Sequence, residues 1–396
     1  MKYYEQEQYS SKKAISLILA LSFLMTLFSA PGYAEALSLE EQAAQKAQYY
    51  REIIMRDVAG CTWTAETQIS HTTLLYDITG KMNGCVYEYA NGEKPAGFLQ
   101  IDVSSGKAVL DSYSFGEEHC AAKRMRCLPI AAVSSTDSSK LVYLGGYSYY
   151  LLGEETAGGE VTAYDVLNEK SGKLDLAAAT EVYEASILAK SKEQIEQAAI
   201  RNNVETDRGA NTITKFIQGY TGGLTFATYS NTGDPGNGCT IISAVNSSMY
   251  WTKCRGKTGL YTSVPATYNA LKSYIPIENS IGTSFDIAYS GYRNYLLDKG
   301  FSYTIYGKIR SKDWTWDAMR NVIDKNVPLT MAHSLGYVGL TEAYHAVTIF
   351  GYQYIDVVNT VMIADAHSTS LVYKTFSSLN AGESSKCFSY YAGRWS

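Results

Sequence analysis

The sequence GNGCTIISAV, residues 236–245, joins a short glycine-containing loop to an apolar segment. Ile241, Ile242 and Val245 recur with helical spacing, so the segment predicts a helix whose first turn carries Cys239. The N-terminus of a helix offers unpaired N–H groups and a positive dipole end, which favour a thiolate over a thiol. The same N–H groups suit an oxyanion formed by attack on an acyl carbon. We therefore interpret Cys239 as a nucleophile; a buried structural cysteine is the alternative.

A histidine and an aspartate follow Cys239 in chain order, each beside an apolar run of the kind that forms strands. In YHAVTIFGY, residues 344–352, His345 heads one predicted strand and can turn its imidazole toward a groove. In VMIAD, residues 361–365, Asp365 ends a second predicted strand, and its carboxylate could fix the tautomer and orientation of an imidazole. Adjacent antiparallel strands would bring the two together, so the three residues form a predicted catalytic set.

Further residues near these strands could take the partner roles. Asn359 precedes the second predicted strand and His367 follows it, so either could take the place of Asp365, although neither ends an apolar run. His333 follows another apolar segment, where a structural histidine is the preferred interpretation.

GNGCTIISAVNSSMYW, YHAVTIFGYQY and VMIADAHS together resemble papain-like bacterial cysteine peptidases, especially streptopain and the bacteriocin-leader-peptidase-like group, over roughly residues 215 to 392. The resemblance implies an α+β, papain-like domain in which a central helix carrying the cysteine packs against an antiparallel sheet. It also implies Cys239 as nucleophile, His345 as general base and acid, and Asp365 as the residue that orients the imidazole. This chemistry requires no metal and no cofactor.

The sequence departs from this family at the oxyanion donor, which is usually a glutamine several residues before the cysteine. Residues 224–238 contain no glutamine. Asn231, eight positions upstream of the cysteine (239 minus 231), carries a side-chain amide of suitable chemistry and is the candidate donor. Asn237 and Gln218 are further amides in this region, and a solvated loop residue is the alternative for each.

The N-terminus has the features of a secretory signal peptide, predicted to span residues 1–36. Lys12 and Lys13 precede an uncharged apolar run over residues 14–30, and Ala34–Ala36 supplies an A-x-A cleavage site. An uncleaved anchor helix is the alternative, but the run is shorter than the roughly 20 residues of a typical membrane span. We therefore expect an exported protein, secreted or at the cell surface and away from the membrane after cleavage.

The first half predicts a smaller α+β domain over residues 37–205. Residues 39–58 carry a helical stripe, the chain changes to period two from residue 72 onward, and residues 181–202 again look helical. The strand region indicates an antiparallel meander, because turn residues separate its alternating segments.

The stretch from Tyr76 to Ser114 resembles the N-terminal region of streptopain-type secreted peptidases; a generic small antiparallel sheet is the alternative. This resemblance implies an inhibitory propeptide, so that the chain's own N-terminal domain would be its inhibitor. Residues 201–214 are polar and lack periodicity, which makes them the predicted boundary and processing site. The peptidase domain is then expected over residues 206–396.

Net charge and cysteine content limit which kinds of binding partner, metal site and disulfide the chain can have. A net charge of −5 gives no electrostatic reason to bind nucleic acid or an anionic membrane. Seven cysteines in an exported chain permit disulfides and leave one thiol over, and no spacing resembles a zinc site. The first four cysteines could form two bridges; in the second half a Cys254–Cys387 bridge is favoured because it would leave Cys239 unpaired.

Three functions are compatible with these residues. The leading hypothesis is hydrolysis of a protein or peptide substrate through an acyl-enzyme on Cys239. A transglutaminase or a peptidoglycan amidase would use the same nucleophile and base. A catalytically silent secreted binding module, with Cys239 in a disulfide to Cys254 or Cys387, is the alternative from another class.

Overall fold

The computed structural model describes residues 37–128, 140–155, 159–204, 212–220, 222, 224–277, 283–301, 303–305, 314–337, 342–356, 358–379, 389–391 and 393–395. The predicted signal peptide lies outside the described residues. Helices and antiparallel strands are both abundant, and most strands join one large sheet, so the predicted α+β class is confirmed. Within the described ranges, no helix has the length and apolar character needed to cross a bilayer.

The helices that the sequence predicts are present, with small differences at their ends. The described residues contain α1 (Leu39–Asp57), α2 (Cys120–Cys127), α3 (Leu176–Val204), α4 (Tyr229–Thr232), α5 (Cys239–Met249), α6 (Val264–Lys272), α7 (Phe285–Asp298), α8 (Trp316–Ile323) and α9 (Phe376–Leu379). The helix expected after the glycine loop is α5, which begins at Cys239 and continues into a π-helical turn, Tyr250–Cys254.

The strands of the first half are β1 (Gln68–Tyr76), β2 (Met82–Asn91), β3 (Lys94–Asp102), β4 (Val109–Phe115), β5 (Leu141–Tyr143), β6 (Tyr149–Glu155), β7 (Glu160–Asp165) and β8 (Lys170–Asp175). Those of the second half are β9 (Ile213–Phe216), β10 (Tyr303–Ile305), β11 (Leu329–Tyr337), β12 (Glu342–Ile355), β13 (Val358–Ala364), β14 (Val372–Thr375), β15 (Ser389–Tyr391) and β16 (Gly393–Trp395).

Both halves of the chain contribute to a single sheet, which has fourteen strands in the described residues. Its order is β15-β11-β12-β13-β14-β4-β3-β2-β1-β5-β6-β7-β8, with β9 also paired to β12 and a separate β10-β16 pair. The β1-β5 pair is parallel, whereas the pairs that join β11 to β14 and β1 to β4 are antiparallel. The halves meet where β14 pairs with β4. The described residues from Leu39 onward form one compact unit across this junction.

The first half begins with the predicted helix and meander. α1 buries Ala43, Ala47, Tyr50 and Ile54 on one face, and this stripe packs against β2, β3 and β4. Strands β1 to β4 pair in sequence as antiparallel neighbours. Gly92, in the hairpin between β2 and β3, has a φ of 63°, a conformation that glycine adopts without steric cost.

A buried cluster of charged side chains lies at the β4-β14 junction. Asp111 of β4 accepts from Lys374 of β14 at 3.1 Å, and Lys190 of α3 lies 3.4 Å from the same carboxyl group. Lys190 also pairs with Asp102. Burial alone would raise the pKa of Asp111, but the two lysines and a hydrogen bond from Ser378 hold that pKa well below its ordinary value. These ion pairs therefore link β3, β4 and α3 of the first half to β14 of the second half.

The cysteines correct one expectation. Cys61, Cys85, Cys120, Cys127, Cys239 and Cys254 all carry thiols in the structure, and Cys387 lies outside the described residues. The two bridges that the first half could have formed are therefore absent, and Cys254 is not bridged as the sequence interpretation favoured. Cys85 is wholly buried inside the sheet, where its thiol packs as a small apolar side chain.

Candidate active site

The loop before α5 is shaped by one carboxylate. Oδ1 of Asp234 accepts the backbone N–H groups of Gly236, Asn237 and Gly238 at 2.8, 3.0 and 3.0 Å, and the Tyr268 hydroxyl donates to the other oxygen of the same carboxylate. A Cβ at Gly238 would lie 2.0 Å from Oδ2 of Asp234, so only glycine fits there. This arrangement fixes the direction in which the chain enters the helix.

Cys239 occupies the first position of α5 and lies against β12. Its sulfur accepts hydrogen bonds from the backbone N–H of Ala346, the residue after His345, and from the Tyr229 hydroxyl. One turn further along α5, the hydroxyl groups of Ser243 and Thr348 lie 2.7 Å apart. The structure thus brings the cysteine and the histidine-bearing strand together, as the sequence predicted.

The sulfur is held as a thiol in this arrangement. Burial raises the pKa of Cys239 above its ordinary value of 9, although the hydrogen bonds from Ala346, Tyr229 and the Thr240 N–H act in the opposite direction. The residue is only 6% exposed. A thiolate would require either opening of the site or transfer of the proton to a neighbouring base.

His345 is fixed by a main-chain atom. Its Nε2 lies 2.7 Å from the backbone oxygen of Asp365. A carbonyl oxygen can only accept, so Nε2 carries the hydrogen and Nδ1 is left as the proton acceptor. Burial lowers the pKa of His345 to about 4, although the bond to Asp365 raises it. The imidazole is therefore neutral at pH 7, in the protonation state of a general base.

The structure brings Asp365 to His345 but assigns its carboxylate to another task than the sequence analysis expected. Oδ1 of Asp365 accepts the backbone N–H groups of His367 and Ser368 at 3.0 and 2.8 Å, which closes a turn after β13. The carbonyl, rather than the carboxylate, contacts the imidazole. Burial raises the pKa of Asp365 to about 6, against the two N–H donors.

The turn after Asp365 also positions His367, which the sequence offered as a possible substitute for Asp365. Ala366 has a φ of 66°, which is uncommon for a residue other than glycine and reverses the chain at this point. The His367 ring then stacks on His345, with centroids 5.1 Å apart and planes inclined by 22°. The same ring lies 5.2 Å from the ring of Tyr229.

Two of the amide side chains predicted as oxyanion donors, those of Asn231 and Gln218, are engaged elsewhere, whereas the buried Oδ1 of Asn237 accepts no hydrogen bond within the described residues. Oδ1 of Asn231 accepts the Thr228 N–H at 2.8 Å and its Nδ2 donates to the Phe226 carbonyl at 2.8 Å, in a capping box that starts α4. Gln218 accepts from Arg255 at an exposed site. The structure therefore corrects the sequence expectation for Asn231, because its amide closes a local turn.

Asn359 and His333 both lie on strands of the large sheet. Asn359 pairs with Tyr354 at the opposite end of β13 from Asp365, so it does not take the place of that residue beside the imidazole. His333 is the register partner of His345 on β11.

Residues of the first half cover the candidate site. The Tyr147 ring packs on His345 with a centroid distance of 4.8 Å, and His345 is 1% exposed. Tyr147 follows Gly145 and Gly146, whose positive φ values turn the chain between β5 and β6. Nζ of Lys374 lies 5.3 Å from the Tyr147 ring centroid, so the charged cluster at the junction also contacts this cover.

Two further contacts fasten the first half to the turn after Asp365. The Cys120 sulfur lies 3.2 Å from the Ser368 hydroxyl. Glu117 accepts the Thr369 backbone N–H at 3.1 Å. In the described structure the site is thus closed by the first half from several directions.

Sequence reasoning did not identify Tyr229, Asp234 or Tyr147. Tyr229 lies in the segment where amides alone were expected to donate, although a phenol is also a hydrogen-bond donor. Asp234 begins a D-P-G-N-G run, a pattern whose carboxylate commonly binds backbone N–H groups. Tyr147 follows a Gly-Gly pair, but its contact with a histidine about two hundred residues away has no local signal.

A cysteine at the start of a helix, packed against an antiparallel sheet next to a strand with a neutral, fixed imidazole, has the parts of a thiol hydrolase. Residues 224–393 match the Peptidase_C39 like family, and this stretch contains α5, β12 and β13. The match supports a papain-like cysteine peptidase and hence a hydrolase. The chain matches no curated protein.

Proposed function

We propose that this chain is an exported cysteine peptidase that cleaves protein or peptide substrates with Cys239 as nucleophile, His345 as base and acid, and Asp365 as the orienting residue. The observation that carries the proposal is the approach of the Cys239 sulfur to the backbone of β12 immediately beside His345. The family match over residues 224–393 supports the same reaction class.

The reaction follows from the protonation states of the two side chains. The Cys239 thiol transfers its proton to Nδ1 of His345, and the sulfur attacks the substrate carbonyl carbon. The imidazolium then gives a proton to the leaving amine, and the C–N bond breaks. Water, deprotonated by His345, attacks the acyl group and releases the thiolate. The Asp365 carbonyl accepts from Nε2 throughout, which stabilises the imidazolium and keeps its orientation.

The proposal includes synthesis as a zymogen. Tyr147 lies on His345, and the contacts at Cys120 and Glu117 hold the first half over the turn that supports the imidazole. Such a cover excludes substrate and water, and it also keeps the thiol and the imidazole uncharged. The resemblance of residues 76–114 to streptopain-type precursors agrees with an inhibitory N-terminal region.

The activity is tested with a casein-like substrate and two cysteine variants. Cys239→Ala should abolish cleavage, because no other group replaces the nucleophile. Cys254→Ala is the matched control, since Cys254 is a half-buried thiol in the π-helical turn that follows α5, and it should retain wild-type activity. Equal activity of Cys239→Ala and wild type would refute the peptidase proposal, and incorporation of a labelled amine without cleavage would favour a transglutaminase.

Export and processing are tested by measuring the intact mass of the protein by mass spectrometry. Protein recovered from the culture medium should begin at Leu37, as expected for removal of residues 1–36. Under activating conditions the wild-type chain should be cut near residues 201–214, whereas Cys239→Ala should keep its full mass. A wild-type chain that stays intact while cleaving substrate would contradict the zymogen part of the proposal and leave the peptidase part standing.

A further inference from the structure

The glutamine that usually donates to the oxyanion is absent before the nucleophile, and the candidate amide of Asn231 is engaged elsewhere. Residues 224–238 contain no glutamine, and the Asn231 amide closes the capping box of α4. An enzyme of this type normally supplies a side-chain donor besides the backbone N–H of the nucleophile. Loss of one such donor typically costs ~100- to 1000-fold in rate. A side-chain donor other than a glutamine or Asn231 is therefore needed near the sulfur if the proposed function is correct.

Tyr229 is the side chain that fills this position. It lies ten residues before Cys239 (239 minus 229), and its hydroxyl donates a hydrogen bond to the sulfur. The phenol ring packs 5.2 Å from the His367 ring, which in turn stacks on His345. Tyr229 thus lies between the nucleophile and the imidazole pair and is 9% exposed.

The backbone holds this phenol in place from two sides. Nitrogen of Tyr229 donates to the Ala366 carbonyl at 3.0 Å, directly after the residue that orients His345. Two residues earlier, Asn246 of α5 accepts the Ala227 N–H at 2.7 Å and donates to the Ala227 carbonyl at 3.3 Å. The chain around Tyr229 is therefore fixed both to the helix of the nucleophile and to the turn after Asp365.

The phenol is suited to act as a donor. Burial, together with the neighbouring Cys239 and Asp234, holds the pKa of Tyr229 well above its ordinary value of 10. It keeps its proton at any pH at which a cysteine peptidase works, so it can donate but not act as a base.

We propose that the Tyr229 hydroxyl is the side-chain oxyanion donor of this site, in place of the glutamine that the family uses. The inference rests on the proposed peptidase function. When the Cys239 sulfur bonds to the substrate carbonyl carbon, the π electron pair moves to the carbonyl oxygen. The hydroxyl, already at the sulfur, shifts its hydrogen bond to that neighbouring oxygen and keeps its own proton. When the C–N bond breaks, the electron pair returns to re-form the carbonyl.

The test compares Tyr229→Phe with Tyr220→Phe in the full chain after activation. Phenylalanine keeps the ring that packs on His367 and removes only the hydroxyl. Tyr220, whose ring packs on Phe226 and Phe350 and whose hydroxyl interacts with Cys254 in the π-helical turn after α5, is the matched control because its variant also loses one hydroxyl. Turnover is measured together with the rate of Cys239 alkylation by iodoacetamide, a displacement that forms no oxyanion.

Tyr229→Phe should lower kcat by about 100-fold with KM nearly unchanged. At a pH high enough that the alkylation rate no longer rises with pH, the variant should be alkylated as fast as wild type. A peptide aldehyde, whose adduct with Cys239 carries the oxyanion, should bind the variant more weakly. Tyr220→Phe should match wild type in all three measurements, and thermal unfolding checks that both variants fold.

Three outcomes would overturn the inference. Unchanged kcat in Tyr229→Phe, with Cys239→Ala inactive, refutes the donor and leaves the peptidase intact. Equal losses of turnover and of alkylation at that high pH would assign Tyr229 to positioning the sulfur. Absence of wild-type turnover, with Cys239 readily alkylated, would refute the proposed function and this inference with it.

Discussion

Single residues around Cys239 are held largely by main-chain atoms. The His345 imidazole binds a carbonyl, and the Asp234 and Asp365 carboxylates bind backbone N–H groups. A role assigned to a side chain from sequence can therefore belong to the backbone of the same residue. Asp365 is the clearest case, because its carbonyl and its carboxylate perform different tasks.

Asp365→Asn should retain activity within a few-fold of wild type. The carbonyl that accepts from His345 remains, and the Asn oxygen can accept the N–H groups of His367 and Ser368 as the carboxylate does. Asp365→Ala leaves those two donors without their acceptor and should lose more activity and about 1–3 kcal/mol of stability. Measurement of kcat/KM for both variants checks this. A loss of 100-fold or more in Asp365→Asn would show that the carboxylate itself orients the imidazole.

At the scale of elements, the turn between β5 and β6 determines access to the site. Tyr147→Ala removes the ring that covers His345, so the Cys239–His345 region gains contact with water. We expect alkylation of Cys239 in the unprocessed chain to become at least about tenfold faster, because the cost of burying a thiolate falls. Tyr164→Ala on β7, a half-buried tyrosine, is the control. Equal alkylation rates in the two variants would argue against Tyr147 as the cover.

The β4-β14 pair makes a second prediction at this scale. Asp111→Ala leaves Lys374 buried without its partner and removes one partner of Lys190, which should cost about 3–5 kcal/mol in the free energy of unfolding. Asp111→Leu combined with Lys374→Met should recover much of this loss, since Lys190 keeps Asp102. Urea unfolding measures both.

The control for this cluster is an exposed ion pair. Glu160 and Lys173 lie 3.0 Å apart across β7 and β8, with side chains 46% and 64% exposed. Glu160→Ala should cost less than about 1 kcal/mol. A similar small loss for Asp111→Ala would mean that water reaches the cluster and that it does not join the two halves energetically.

Local sequence signals predicted the elements better than their pairing. The glycine loop and the spacing of Ile241, Ile242 and Val245 were enough to place α5, because helix starts depend on adjacent residues. The β4-β14 pair joins strands about 260 residues apart, and period-two alternation does not specify a partner strand.

The same distinction applies to the candidate site. The grouping of Cys239, His345 and Asp365 was predicted from residues at the ends of helices and strands. The contact between the Asp365 carbonyl and His345, by contrast, depends on the backbone turn at Ala366. Asn231 was misassigned although Thr228 stands three residues before it, in the spacing of a capping box. Their catalytic roles stay predictions until the variants are measured.

At the scale of the whole molecule, buried histidines make the fold sensitive to mild acid. Burial lowers the pKa of His119 to about 3 and that of His345 to about 4, and it holds the pKa of His367 well below 6.5. The unfolded chain takes up protons at these residues below about pH 6.5 and the folded chain does not. Their contribution to stability is therefore complete above pH 6.5 and is lost as the pH falls toward 4.

Asp365 has the opposite effect on how stability changes with pH. Its pKa is raised to about 6, so its contribution is present at low pH and lost as the pH rises through 6. Each group changes the free energy of unfolding by up to roughly 1.4 kcal/mol per pH unit. Urea midpoints should fall between pH 7 and pH 5, more steeply in Asp365→Asn and less steeply in His345→Asn. Midpoints that rise over this range would contradict the assignment of neutral buried imidazoles.

The shared sheet also has a practical implication for anyone purifying the protein. If the chain is cut between α3 and β9, the two fragments remain joined by β4 and β14, and the Asp111 and Lys374 charges stay buried between them. A denaturing gel would then display two bands where size-exclusion chromatography displays one peak. The cut alone therefore leaves Tyr147 on His345, so activation also requires the two fragments to separate, which would bare the β14 backbone as an unpaired edge.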